Sequence, residues 1–177
     1  VLLCAAFVFV MTPGLAMFYG GLVRKKNVVN TMMTSIFIIG VGIVMWVLFG
    51  YSLSFAPSGN AFIGDFRWLG LEGVSLTEGY TDDASIPNMV FSAFQMMFAV
   101  ITPALITGAV AGRMKFKSIF VFTIFWSLIV YYPLAHMVWG QGGLLGADGI
   151  GALDFAGGDV VPVSYTHLRA HETGRNL

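Results

Sequence analysis

Four long apolar stretches, free of Asp, Glu, Lys and Arg, dominate the hydrophobic pattern of this chain: residues 1–23, 27–55, 84–112 and 118–138. About 20 apolar residues are enough for a helix to cross the hydrocarbon core of a bilayer. A segment in lipid must satisfy its own backbone hydrogen bonds, and the alternating pattern of short barrel strands is absent from the sequence. The pattern therefore predicts an all-α, polytopic membrane protein with about four complete transmembrane helices plus the start of a fifth.

The loops between these stretches differ in charge. Basic residues cluster in the loops after the first and third stretches: Arg24, Lys25, Lys26, Arg113, Lys115 and Lys117. Acidic residues dominate the loop 56–85 and the segment after residue 139. Because Lys and Arg in short loops mark the cytoplasmic side, we predict a multi-pass protein of the cell membrane with its N-terminus outside.

The composition supports a membrane location and narrows the classes of function. Of 177 residues, 57% are hydrophobic and only 10% are charged, the formal net charge is +0 and the mean hydropathy is +0.82. A soluble domain is usually about one-quarter charged. Nucleic-acid binding needs clustered basic residues, so nucleic acid is not an expected partner. The single cysteine, Cys4, excludes an intrachain disulfide and a CxxC motif.

Three aromatic residues form a candidate cation site. Phe94 and Phe98 are spaced i, i+4 and share one face of the third predicted helix, and Trp139 lies at the outer end of the fourth. Ring faces attract a monovalent cation with roughly 0.5 to 2 kcal/mol per contact. The alternative for Trp139 is an aromatic belt at the membrane interface. The residues alone leave both interpretations open.

Two ionisable residues near the membrane also have more than one interpretation. His136 is either a functional group or a packed histidine that donates one hydrogen bond to a carbonyl. Asp154 precedes an apolar run and could cap a fifth helix, favour a cation as a buried carboxylate, or do both. An enzyme using His136 and Asp154 is disfavoured, because no nucleophile or metal-ligand set accompanies them.

The last residues of the chain differ in character from the rest. His167 and His171 have the i, i+4 spacing of a zinc-binding pair, but they fall where Arg169, Glu172 and Arg175 interrupt the apolar run. Residues 162–177 resemble translated adapter sequence, so we predict that they are a non-native tail and predict neither metal nor cofactor.

Three sequence blocks carry a family resemblance: MTPGLAMFYGGLVRKKN at residues 11–27, AHMVWG at residues 135–140 and GALDFAGG at residues 151–158. On these blocks, residues 1–161 resemble the ammonium transporter family, the Amt/Rh group. The resemblance implies transport of ammonium or methylammonium across the cell membrane. It also implies an eleven-helix inverted repeat in a homotrimer, of which this sequence covers the first four helices and the beginning of the fifth, and a cytoplasmic regulatory protein as a further partner.

The resemblance also implies roles for particular residues. Trp139 and Phe98 match the family's aromatic cage and gate positions, with Phe94 beside them. Asp154 matches the family's essential aspartate at the head of the fifth helix, which supports the site and need not contact the ion. Two positions depart from the pattern, and at one of them Asp159 stands where the family usually has a small or hydroxyl residue. The first of two pore histidines is expected after Val161, where this chain has Pro162. An ammonium sensor, in which the same cage reports to a signalling domain, remains the alternative function.

Overall fold

The computed structural model confirms the all-α prediction. It describes the following residues: 1–57, 59–81, 84–111, 114–146, 149–154 and 157–163. Within them, four helices are long and apolar enough to cross a membrane: Leu2–Leu22, Lys25–Phe55, Asn88–Val110 and Phe116–Trp139. They match the four apolar stretches of the sequence. His167 and His171, whose zinc-type spacing was discounted, lie outside the described residues.

The first and third spans are each one continuous α-helix. Helix α1 covers Leu2–Leu22 and contains Pro13, and α4 covers Asn88–Val110 and contains Pro103. An internal proline removes one backbone hydrogen bond, and here neither proline ends its helix.

The second and fourth spans are composite. The second begins with a 3₁₀ turn and then contains α2 (Val28–Met45), a π-helical segment (Trp46–Gly50) and α3 (Tyr51–Phe55). The fourth contains α5 (Phe116–Trp126), a second π-helical segment (Ser127–Tyr131) and α6 (Tyr132–Trp139). Such bulges are rare inside α-helices and occur often near functional sites.

Small residues bring the spans close together. Helices α1, α2 and α4 contact one another, and α3 packs against α6. A Cβ atom at Gly108 would lie 2.4 Å from Cζ of Tyr19, and one at Gly50 would lie 2.7 Å from Cζ of Tyr132. Glycine therefore permits an aromatic ring to rest directly on the helix backbone at both places.

The largest buried side chains gather in the half of the bundle that contains α3 and α6. Trp46, Tyr51, Phe55, Tyr131 and Tyr132 are each at most 2% exposed. Two of them bond to α4: the Trp46 indole N–H donates to Ser92 Oγ over 3.3 Å, and the Tyr51 hydroxyl donates to Asn88 Oδ1. This cluster fixes α4 against the second and fourth spans.

The loop between α3 and α4 covers residues 56–87, here called the α3–α4 loop, and its described residues fold back over this end of the bundle. Ser52 Oγ donates to the carbonyl of Asp65 over 2.7 Å and accepts the N–H of Trp68 over 3.0 Å. The Trp68 ring stacks on Tyr51 with centroids 5.4 Å apart. The loop is consequently part of the packed structure and can contribute side chains to a site.

A new helical turn forms near the end of the described chain. The N–H of Val161 donates to the carbonyl of Gly157 over 2.8 Å, and residues 161–163 are helical. This turn lies where the sequence predicts the start of a fifth helix.

Candidate functional site

A cavity of about 670 Å³ lies at the end of the bundle covered by the α3–α4 loop. Its lining comes from the loop, α4, α6 and the segment that follows α6: Tyr80, Thr81, Phe91, Phe94, Gln95, Phe98, Val138, Trp139, Gly140, Gln141, Ala152, Leu153, Asp154 and Gly157. All four residues predicted from the sequence, Phe94, Phe98, Trp139 and Asp154, therefore border one cavity.

One face of α4 forms the aromatic wall of the cavity. Phe94 and Phe98 meet edge to face, with ring centroids 5.2 Å apart and planes at 77°. Phe91 and Gln95 border the cavity from the same helix. The spacing i, i+3, i+4, i+7 from Phe91 to Phe98 places these side chains on one stripe. That spacing was available in the sequence and could have identified Phe91 and Gln95.

Trp139 forms the opposite side from the last turn of α6. It is partly buried, and its indole N–H donates to the backbone carbonyl of Asp154 over 3.2 Å. The helix ends directly after it, because Gly140 has extended backbone angles. This hydrogen bond thus connects the ring of Trp139 to the segment that contains Asp154.

The carboxylate of Asp154 caps the turn at the end of the described chain. Its Oδ1 accepts the N–H of Gly158 over 2.7 Å, and its Oδ2 accepts those of Asp159 over 2.9 Å and Val160 over 3.3 Å. Hydrogen bonds to an ionised acceptor are stronger than neutral ones. Asp154 therefore caps this turn and also borders the cavity. Its side chain is only partly buried, and its role toward a cation stays a prediction.

Tyr80 and Gln141 belong to the cavity wall and were not predicted. The Tyr80 ring stacks on Phe91 with centroids 4.9 Å apart and planes at 9°. Burial raises the pKa of the Tyr80 phenol to about 12, and the hydrogen bond from the Gln141 backbone N–H opposes part of that rise in pKa. The phenol is therefore neutral at physiological pH. Because Tyr80 lies in a loop, no helical spacing in the sequence indicated that it borders the cavity.

His136 lies outside the cavity wall and is only 1% exposed. Its Nδ1 is 3.1 Å from the carbonyl oxygen of Ser54, and its Nε2 is 2.9 Å from that of Asn60. Both ring nitrogens face backbone carbonyls, which agrees with the packed interpretation of this histidine. It joins α6 to the end of α3 and to the α3–α4 loop.

The chemistry of the cavity suits a small cation. Aromatic faces present negative charge density, and the nearby carboxylate adds a negative charge that the cavity wall does not balance with Lys or Arg. No group of three or more His, Cys, Asp and Glu residues that could hold a metal ion occurs in the part of the chain that the structure describes. The wall also contains amide and hydroxyl groups, on Thr81, Gln95 and Gln141, that can form hydrogen bonds with a ligand.

Fold and site together define a helical membrane protein with several candidate spans and a cavity at one end of the bundle. Residues 1–164 match the family model described as Ammonium Transporter Family. An ammonium transporter of Bacillus subtilis is 52% identical over 161 residues, which is 91% of this chain and 39% of that protein. One of Aquifex aeolicus is 44% identical over 161 residues, 90% of this chain and 37% of that protein.

Solved structures agree with the family match. The crystal structure of Candida albicans Mep2 superposes with a TM-score of 0.84 and 33% identity, over 96% of this chain and 37% of that one. Saccharomyces cerevisiae Mep2 gives a TM-score of 0.82 and 35% identity, over 93% of this chain and 36% of that one.

The chain belongs to the ammonium transporter family, a family of transporters and not of enzymes. It spans about two-fifths of the length of the curated relatives that it matches.

Proposed function

We propose that this chain forms the ammonium-capture half of a transporter that moves ammonium or methylammonium across the cell membrane. The observation that carries the proposal is the single cavity bordered by Phe94, Phe98, Trp139 and Asp154. An ammonium ion entering it exchanges water for ring faces, each contributing roughly 0.5 to 2 kcal/mol. Conduction through an apolar pore, which the family resemblance implies, belongs to the same proposal.

Asp154 supports this site through the turn that it caps. Its oxygens accept three backbone N–H groups, so the carboxylate holds the turn at residues 158–160. It also contributes negative potential to the cavity that it borders, and direct contact with the ion is not required. Its backbone carbonyl holds the indole of Trp139. Loss of the carboxylate therefore removes the negative potential and the three bonds that hold the turn, whereas the backbone carbonyl that accepts the Trp139 N–H remains.

We expect the cavity to face the outside of the cell, because the charged loops differ between the two ends of the bundle. The cavity end of the bundle carries Asp65 and Glu78, whereas Lys25, Lys26 and Lys117 lie at the opposite end. Positively charged loops favour the cytoplasmic side. A homotrimeric assembly and a cytoplasmic regulatory protein belong to the same proposal, and the residues 162–177 remain assigned to a non-native tail.

The test is uptake of labelled methylammonium by cells that lack their own ammonium uptake. A chimera carries residues 1–161 in place of the matching segment of the Bacillus subtilis transporter, and each variant is compared with the unmodified chimera. Saturable uptake by the chimera that ammonium inhibits supports the proposal. Binding of methylammonium to the purified chain in lipid nanodiscs is measured in parallel, and absence of both uptake and binding overturns it.

A further inference from the structure

Tyr80 lies on the α3–α4 loop, yet its ring supports the aromatic wall contributed by α4. It stacks flat on Phe91 with centroids 4.9 Å apart. Phe55 presents its edge to both rings, with centroids 5.5 Å from Tyr80 and 5.1 Å from Phe91. Rings from a loop and two helices thus form one packed group, in which Tyr80 and Phe91 border the cavity.

Gln141, from the segment after α6, donates two hydrogen bonds to Tyr80. Its backbone N–H donates to the Tyr80 hydroxyl over 3.2 Å, and its side-chain Nε2 donates to the Tyr80 carbonyl over 3.0 Å. Two hydrogen bonds join residues that are 61 positions apart. We call Tyr80 and Gln141 the rim pair, because both border the cavity.

The loop is also attached to the beginning of α4. The N–H of Asn88 donates to the carbonyl of Glu78 over 2.8 Å, and Gly79 and Pro87 form an antiparallel bridge. Tyr80 is therefore held between the first turn of α4 and the segment immediately after Trp139. Helix α4 carries Phe94 and Phe98, and the second segment directly follows Trp139, so Tyr80 connects the two parts of the chain that supply the aromatic lining.

We propose that the rim pair is a positioning device for the cation site, in which Tyr80 and Gln141 hold the α4 wall and Trp139 at the separation that a bound ammonium requires. The proposal rests on the proposed function, since it requires a cation in this cavity. A ring attracts a cation only within about 6 Å of its centroid. If the rim pair opens, the two walls can separate, and the ion loses contact with one of them.

The experiment titrates the full chain in lipid nanodiscs with methylammonium chloride and follows binding by isothermal titration calorimetry, with sodium chloride as the reference titration. Gln141→Ala removes the side-chain bond, and Tyr80→Phe removes the hydroxyl acceptor while keeping the stacked ring. Each is expected to weaken binding about fivefold, as one lost hydrogen bond does. Tyr80→Leu also removes the ring and is expected to weaken binding at least tenfold.

Two readouts separate positioning from general stability. The double variant Tyr80→Phe/Gln141→Ala is expected to lose less affinity for methylammonium than the product of the two single fold-changes. The reason is that loss of either hydrogen bond already separates Tyr80 from Gln141. The thermal unfolding midpoint of Tyr80→Phe and Gln141→Ala is expected to stay within a few degrees of the parent. Thr77→Ala, on an exposed position of the same loop, serves as the control and should bind like the parent.

The outcomes distinguish this inference from the proposed function. If the parent chain binds methylammonium and Gln141→Ala and Tyr80→Leu bind it equally well, the rim pair has no role and the proposed function stands. If the methylammonium affinity of the rim-pair variants falls only in proportion to their thermal unfolding midpoints, the positioning role of the rim pair is also overturned. If the parent chain binds no methylammonium, the proposed function fails and the rim pair fails with it.

Discussion

At the scale of residues, the site depends on a few side chains whose surroundings define their roles. The indole of Trp139 faces the cavity while its N–H bonds to the Asp154 carbonyl. Trp139 therefore borders the cavity in a position held by the protein itself. Its role in an aromatic cage stays a prediction, which the following variant tests.

Trp139→Leu is expected to weaken methylammonium binding roughly 2- to 30-fold, because one cation–π contact is lost. The measurement is the dissociation constant of the chain in nanodiscs, together with the half-saturation concentration for uptake by the chimera. Phe125→Leu is the matched control, since this ring lies on the same span and is 58% exposed outside the cavity. An unchanged dissociation constant in Trp139→Leu would show that the Trp139 ring does not contact the bound cation.

Asp154→Ala is expected to abolish uptake by the chimera, and Asp154→Asn to reduce it less, because an amide keeps one oxygen acceptor but no charge. The control is Asp159→Asn, which removes an exposed charge five residues away while keeping the backbone N–H that donates to Asp154. Full flux in Asp154→Ala would falsify the supporting role of the carboxylate.

The phenol of Tyr80 is expected to ionise near pH 12, whereas an exposed tyrosine ionises near pH 10. The folded pKa is raised, so the stability that the neutral phenol contributes is complete below pH 10 and is lost as pH rises through the folded value. The difference in phenolate absorbance between the parent and Tyr80→Phe isolates this group. Ionisation of the Tyr80 phenol near pH 10 would contradict its burial in the wall.

At the scale of elements, close helix contacts depend on glycines that the sequence alone does not distinguish from other glycines. Gly108 carries the ring of Tyr19, and Gly40 has nothing within 4 Å of a built Cβ. Both are helical glycines in apolar spans. Only the neighbouring helix decides which of the two can accept a larger side chain.

Gly108→Ala is expected to destabilise the bundle by about 1–3 kcal/mol, because the added methyl overlaps the Tyr19 ring. Gly40→Ala is expected to be neutral or to stabilise by up to about 1 kcal/mol, since alanine favours helix and no clash follows. Thermal unfolding in nanodiscs compares the two variants directly. Equal midpoints would show that α1 and α4 do not meet at Gly108.

At the scale of the whole molecule, four spans form a bundle with its cavity at the end covered by the α3–α4 loop. The sequence predicts that this end faces outside, since the basic loops lie at the other end. The similarity to known proteins establishes the family of this chain, but it does not establish which end of the bundle faces outside. Orientation is therefore tested on the chain itself.

Thr77→Cys, made in a Cys4→Ser background, is expected to react with a membrane-impermeant maleimide in intact cells, because residue 77 lies on the α3–α4 loop. Lys117→Cys in the same background is expected to react only after the membrane is opened. Labelling is read by a gel shift. The reverse pattern would place the cavity on the cytoplasmic side.

The hydrophobic pattern by itself determined the number and approximate bounds of the spans, and the spacing of Phe94 and Phe98 determined their shared helix face. Both follow from local rules, since span length and helical periodicity are properties of neighbouring residues. The tertiary structure alone decided that Tyr80 pairs with Gln141 across 61 positions and that two π-helical segments interrupt the spans. These features depend on packing between distant elements, which no local pattern in the chain encodes.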